Sequence, residues 1–169
     1  MKKVELLAPA GCLEKAKIAF MYGADAVYAG TSKLSLRSRA ELNDDTLEET
    51  IKYAHSIGKK VYVALNIYAN DSDYEEIENQ IEILKRVKAD AIIASDPGII
   101  MLIKERAPEI DIHISTQANT VSLHTAEFWR NFGAKRVILA RELSKDRIKY
   151  IMENKPDDLE VEMFIHGAI

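Results

Sequence analysis

Only one cysteine, Cys12, occurs in the 169 residues. A single thiol excludes an internal disulfide and cannot by itself hold a zinc ion or an iron–sulfur cluster. No apolar run approaches the roughly 20 residues that span a bilayer. Met1-Lys2-Lys3 leads straight into a strand pattern without the hydrophobic region of a signal peptide, so a cytoplasmic chain with no membrane association is expected. A large excess of charge of one sign is lacking too. The net charge of −4 gives no general attraction to nucleic acid, and any RNA contact requires a local basic patch. The glycines form neither GxGxxG nor a Walker loop, and no His/Cys/Asp spacing has the form of a zinc site. Low-complexity tracts and linkers are missing as well. The remainder, 47% hydrophobic and 30% charged, is the composition of an ordinary globular protein long enough for one domain with a real core.

What is present is a repeated unit of helix, short turn, β-rich run and polar loop, recurring about every 25 to 30 residues. Glycine marks helix ends in Tyr22-Gly23-Ala24, Ile57-Gly58-Lys59 and Phe132-Gly133-Ala134, each followed directly by a strand. The predicted strands are Val4–Ala8, Ala26–Ala29, Val61–Leu65, Ala91–Ala94, Ile112–Ser115, Val137–Ala140 and Val161–Ile165. Helices are predicted near 13–22, 46–57, 74–87, 98–107, 122–132 and 145–154, with caps at Asp45-x-x-Glu48 and Ser72-x-x-Glu75. Pro108 and Pro156 fall just past two helix ends.

Seven strands alternating with six helices imply a parallel sheet with helices outside, either an incomplete (β/α)8 barrel or an open doubly wound sheet. Glu5, His113, Glu162 and His166 occupy strand positions opposite the apolar sets Val4/Leu6, Ile112/Ile114 and Val161/Met163/Ile165. A barrel directs those polar groups into its middle. An open sheet would bury them under helices at a cost of several kcal/mol each. The expected fold is therefore α/β, a partial (β/α)8 TIM-type barrel. A whole barrel takes about 250 residues. Residues 1–169 are accordingly expected to be a single, incomplete domain, the N-terminal part of a longer protein. Its uncovered strand edges would promote self-association.

In such a barrel the loops after the strands build the site. Here they carry Ala8-Pro9-Ala10-Gly11; Gly30 with Ser35, Arg37 and Arg39; Asn66 and Tyr68; Ser95-Asp96; Ser115-Thr116-Gln117-x-Asn119; Arg141-Glu142; and His166-Gly167. Every strand contributes to one rim, which makes a binding site the natural reading. Lys33, Arg37 and Arg39 are the basic cluster near that rim, suited to a carboxylate or phosphate.

Glu5-Leu-Leu-Ala-Pro-Ala-Gly11, Gly23-Ala-Asp-Ala-Val-Tyr28, Ser115-Thr-Gln117-x-Asn119, Ala140-Arg-Glu-Leu-Ser144 and Glu162-Met-Phe-Ile-His-Gly167 resemble the N-terminal region of the collagenase-like peptidases, family U-32. The resemblance runs over the whole chain in order. It implies a parent protein that is either a peptidase or, like other members, an oxygen-independent hydroxylase of tRNA, ribosomal RNA or a quinone precursor. Such members carry an iron–sulfur cluster on cysteines beyond the residue corresponding to Ile169 and use a prephenate-like donor. No cofactor is expected within these 169 residues, and no turnover by them alone. By the same resemblance Glu5, Tyr28, Arg37, Asn66, Asp96, Gln117, Asn119, Arg141 and Glu142 are candidate contacts for donor, RNA or peptide. Glu162 and His166 are the catalytic candidates. A non-catalytic scaffold subunit is a third alternative.

Individual residues keep two readings. Cys12, at the start of the first helix, is a nucleophile only if His166 serves as its base; otherwise it fills an N-cap-like position. His55 reads as a helix-end residue and His124 as surface. Glu5 and Glu162 either act as general acid and base or each bind Arg141 or His113 to fix the barrel interior.

Overall fold

A computed structural model describes residues 4–31, 34–35 and 41–166. The chain runs β1 (Leu7–Pro9), α1 (Leu13–Met21), β2 (Ala26–Thr31), β3 (Glu41–Leu42), α2 (Asp44–Ser56), β4 (Lys60–Ala64), α3 (Tyr74–Val87), β5 (Ala91–Ala94), α4 (Pro97–Arg106), β6 (Asp111–Ile114), α5 (Leu123–Asn131), β7 (Arg136–Ile138), α6 (Lys145–Asn154) and β8 (Glu160–Glu162). Each helix hands over to the next strand through a tight turn. Gly23 (φ 101°) and Gly133 (φ 109°) supply the left-handed residue after α1 and α5, where a side chain would be strained. Lys88 takes the same conformation after α3 (φ 61°), a helix end that no glycine announces.

All strands are parallel, and the sheet order β1-β2-β4-β5-β6-β7-β8 follows the chain. The predicted alternation of seven strands and six helices is therefore observed among the described residues. The two-residue β3, paired with the far end of β2, is an addition that lay inside a predicted loop. Alternation along the strands separates two apolar layers. Val27, Val61, Val63, Ile92, Ile112, Ile114 and Val137 face the helices and pack with Leu47, Ile51, Ile77, Ile81, Ile100 and Ile103. Ala26, Tyr62, Ala64, Ala91, Ile93 and Ile138 form a separate inner cluster, with Leu7 and Tyr28 at its margin. Such strands, buried on both faces, are the signature of a parallel sheet covered by helices. The sheet curls around this inner cluster, so that Glu5, just before β1, touches Arg136 on β7.

The ends depart from expectation. β1 begins at Leu7 rather than Val4, and Val4 (86% exposed) and Leu6 have no helix over them. β8 stops at Glu162; Val161 packs against the outer core, while Met163 and Ile165 (83% exposed) lie past the strand in solvent. The reason is geometric. These residues lie on or beside β1 and β8, the two end strands of the order β1-β2-β4-β5-β6-β7-β8, and a strand is extended only as far as its neighbour pairs with it. Two caps also differ. Asn43 rather than Asp45 caps α2, accepting from the Thr46 N–H at 2.9 Å. An Asn70/Asp73 capping box, not Ser72/Glu75, begins the turn into α3. Among the described residues no helix is long and apolar enough to cross a membrane.

Candidate active site

Two polar regions occupy opposite ends of the curled sheet. The first is a floor at the N-terminal ends of the strands. Arg136 opens β7 and is buried, facing inward by its parity with Ile138. Its Nη1 donates to Glu5 Oε1 at 2.7 Å and to Glu162 Oε2 at 3.3 Å, and its Nε donates to Glu160 Oε2 at 2.9 Å. Tyr62 donates its hydroxyl to the Glu5 carboxylate at 2.9 Å, and the guanidinium stands 5.2 Å from the centre of the Tyr62 ring. His113 meets that ring edge-on at 4.6 Å between centroids.

Position in the strand sets the electrostatics. Burial pushes the Glu162 carboxyl above the usual range, against the pull of Arg136 and with help from Glu5 and Glu160. Burial likewise raises the Tyr62 phenol. It holds the His113 imidazole well below its ordinary value, with the positive charges of Arg136 and Lys60 acting in the same direction. The cluster is thus a neutral imidazole and a neutral phenol beside one guanidinium and three carboxylates. The expected interior bracing of Glu5 and Glu162 is present, but its cation is Arg136 rather than Arg141, and His113 contacts Tyr62. Arg136 was missed by sequence reasoning because it precedes the apolar run Val137–Ala140. The period-two parity with Ile138 is the signal that places it inside.

The second region is the rim at the C-terminal ends of the strands, where enzymes of this architecture carry their chemistry. Asp96 caps α4, accepting from the Ile99 N–H at 3.0 Å, a contact of about 1 kcal/mol. The Ser115 hydroxyl donates to Gln117 Oε1 at 3.2 Å within the turn Thr116–Ala118. Asn119 follows in the left-handed conformation (φ 51°) and is exposed. Tyr28 and Asn66 are half-buried, and Arg141 and Glu142 are exposed. Arg37, with Lys33 and Arg39, lies outside the described residues.

Glu162 belongs to the floor network, whereas His166 is exposed, beyond the end of β8. Cys12 is the half-buried N-cap of α1 and makes no side-chain cap bond. His55 bonds Asp90 at 3.0 Å and His124 is exposed, in keeping with structural and surface roles. Among the described residues no group of three or more His, Cys, Asp and Glu side chains is placed to hold a metal ion, and one cysteine does not fit a thiolate-held cluster. Sequence reasoning passed over two hydroxyls, Thr31 and Thr120, and named Ser95 only as part of the rim. Thr31, Ser95 and Thr120 are buried, and their side-chain oxygens have no hydrogen-bond partner among the described residues. A groove of about 380 Å³ between α1 and α2 lies on the outer helical layer and does not open on this rim.

A curled parallel β/α sheet with an ion-paired floor and a polar C-terminal rim places the chain among the TIM-barrel-like proteins. Residues 11–169 match peptidase family U32, and the chain belongs to that family. It is 49% identical to the tRNA hydroxylation protein P of Haemophilus influenzae, over 99% of this chain and 36% of that protein. It is 35% identical to the 23S rRNA 5-hydroxycytidine C2501 synthase of Escherichia coli, over 99% of this chain and 25% of that one. The chain therefore spans about a third or less of these curated relatives. Among solved structures it is similar to the U32 peptidase Mk0906, with a TM-score of 0.78, 12% identity, and coverage of 95% of this chain and 68% of that one. That likeness concerns the fold.

Proposed function

We propose that this chain is the substrate-binding barrel portion of an RNA hydroxylase, with tRNA as its substrate. The observation that carries the reading is the 49% identity, sustained across nearly the whole chain, to a protein of tRNA hydroxylation. The geometry agrees with it. Glu162, the acid–base candidate of a peptidase, is tied to Arg136. In the longer protein an iron–sulfur cluster is ligated by residues outside these 169, and a prephenate-like small molecule is the hydroxyl donor. Expression of the full-length protein in a strain lacking its tRNA hydroxylation protein tests the reading. The hydroxylated nucleoside should reappear in digested tRNA by mass spectrometry. Its absence at normal protein levels would reject the assignment.

The isolated 169 residues self-associate in this reading, because Val4, Leu6 and Ile165 leave apolar surface beside the unpaired edges of β1 and β8. Light scattering should report dimers or larger species at micromolar concentration. A monodisperse monomer would contradict it.

A further inference from the structure

The mouth above the floor has a composition of its own. On the inward parity of β2, β4, β5 and β6, the residues nearest the rim are small or neutral: Gly30 on β2, Ala64 at the end of β4 and Asn66 past it, Ser95 past Ile93 of β5, and Ser115 past His113 of β6. Tyr28, two residues below Gly30, contributes the half-buried aromatic ring of this wall. Ser95 is only 8% exposed, yet its hydroxyl has no hydrogen-bond partner among the described residues. A buried hydroxyl in that state is destabilising until something bonds it. The neighbouring Asp96 already has its partner in α4.

Charge decides which ligand suits the place. The floor holds the three carboxylates Glu5, Glu160 and Glu162 against the single Arg136 guanidinium. Even with Lys60 at its exposed edge, the formal charge is not positive when all three carboxylates are ionised. A carboxylate or phosphate descending into the mouth meets that field. A neutral heteroaromatic ring does not, and it can use both a stacking surface and a hydroxyl able to donate and accept.

We infer that the mouth takes a single unpaired RNA base, with the Ser95 hydroxyl bonding its edge and the Tyr28 ring supplying its stacking surface. The phosphates of the strand stay outside, on the rim that carries Arg141. A base reached in this way must leave its stack, as enzymes that modify bases require. This inference rests on the RNA-hydroxylase reading and adds to it which part of the RNA enters and which residues meet it.

The test uses full-length protein and tRNA purified from a strain lacking the modification. Wild-type protein that makes no hydroxylated nucleoside would fail the functional reading itself. With active wild type, Ser95→Ala and Tyr28→Ala should each lower kcat/KM for tRNA about tenfold. Tyr28→Phe, which keeps the ring, should stay within about twofold; Ser95→Ala should melt no lower than the wild type, and Tyr28→Ala, which loses packing at the margin of the inner cluster, is compared below its lowered melting temperature. Ser95→Ala and Tyr28→Ala both indistinguishable from an active wild type would overturn the inference while leaving the function intact. Tyr28→Phe as impaired as Tyr28→Ala would overturn the stacking role. A defect confined to the KM of the small-molecule donor would put that donor, not the base, in the mouth.

Discussion

Arg136→Ala is expected to lower the unfolding free energy by about 3 kcal/mol near neutral pH. The guanidinium is the shared donor to Glu5, Glu160 and Glu162, and removing it leaves three carboxylates facing one another around the Tyr62 ring. Loss of one partner from a buried ion pair costs about 3–5 kcal/mol. The lower end applies here, because the side chains of Glu5, Glu160 and Glu162 are 28%, 46% and 18% exposed and water screens them in part. The loss should shrink on acidification, since protons on the stranded carboxyls relieve their repulsion. Urea unfolding at two pH values measures both effects through the midpoint, provided the slope is unchanged. A cost below about 1 kcal/mol at pH 7 would show that the floor does not hold the curl of the sheet.

Stability should also fall as pH drops below about 6.5, with a slope approaching 1.4 kcal/mol per pH unit from one residue, His113. Burial, Arg136 and Lys60 depress its folded pKa. Below the unfolded value of 6.5 the unfolded chain therefore binds a proton that the folded chain refuses, and stability falls with pH until the folded imidazole itself titrates. Glu162 acts in the opposite sense. Its folded pKa lies above 4.5, so its protonated form is favoured on folding, and this contribution is lost as pH rises through the raised value. Acidification thus brings a loss from His113 and, further down, a partial return from Glu162. His113→Phe keeps the edge contact with Tyr62 and removes the titration, so it should flatten the slope between pH 6.5 and the range where carboxylates titrate. An unchanged slope in that variant would assign the effect to another group.

The placement of helices and strands was legible because each carries its own period and its own stop signal. Ile77, Ile81 and Leu84 recur at helical spacing on α3, and Ala26-Val27-Tyr28-Ala29 reads as a strand between a glycine turn and a polar loop. Asp96 has a second role that such reading did not show. It sits at a strand end, where a carboxylate suggests ligand binding, yet it is also the residue before a helix beginning with proline, and the helix takes it. Ser95, one residue earlier and of opposite parity, faces the mouth. Which of two adjacent polar residues turns inward depends on strand phase, and an error of one residue exchanges them. Uncovered edges at β1 and β8 were expected, but not that pairing would stop short of Val4 and Ile165, which look like core until the pairing of their strands is known.

The sequence by itself determined the α/β class, the number and order of the main elements, their parallel arrangement and the family, all of which depend on local periodicity, caps and motif order. The curl of the sheet decided the rest. It brought Glu5 to Arg136 across 131 residues, turned a suspected acid–base carboxylate into an ion-paired one, and left a buried, unbonded hydroxyl at the mouth. Those outcomes depend on contacts between strands distant in sequence, which local pattern does not encode.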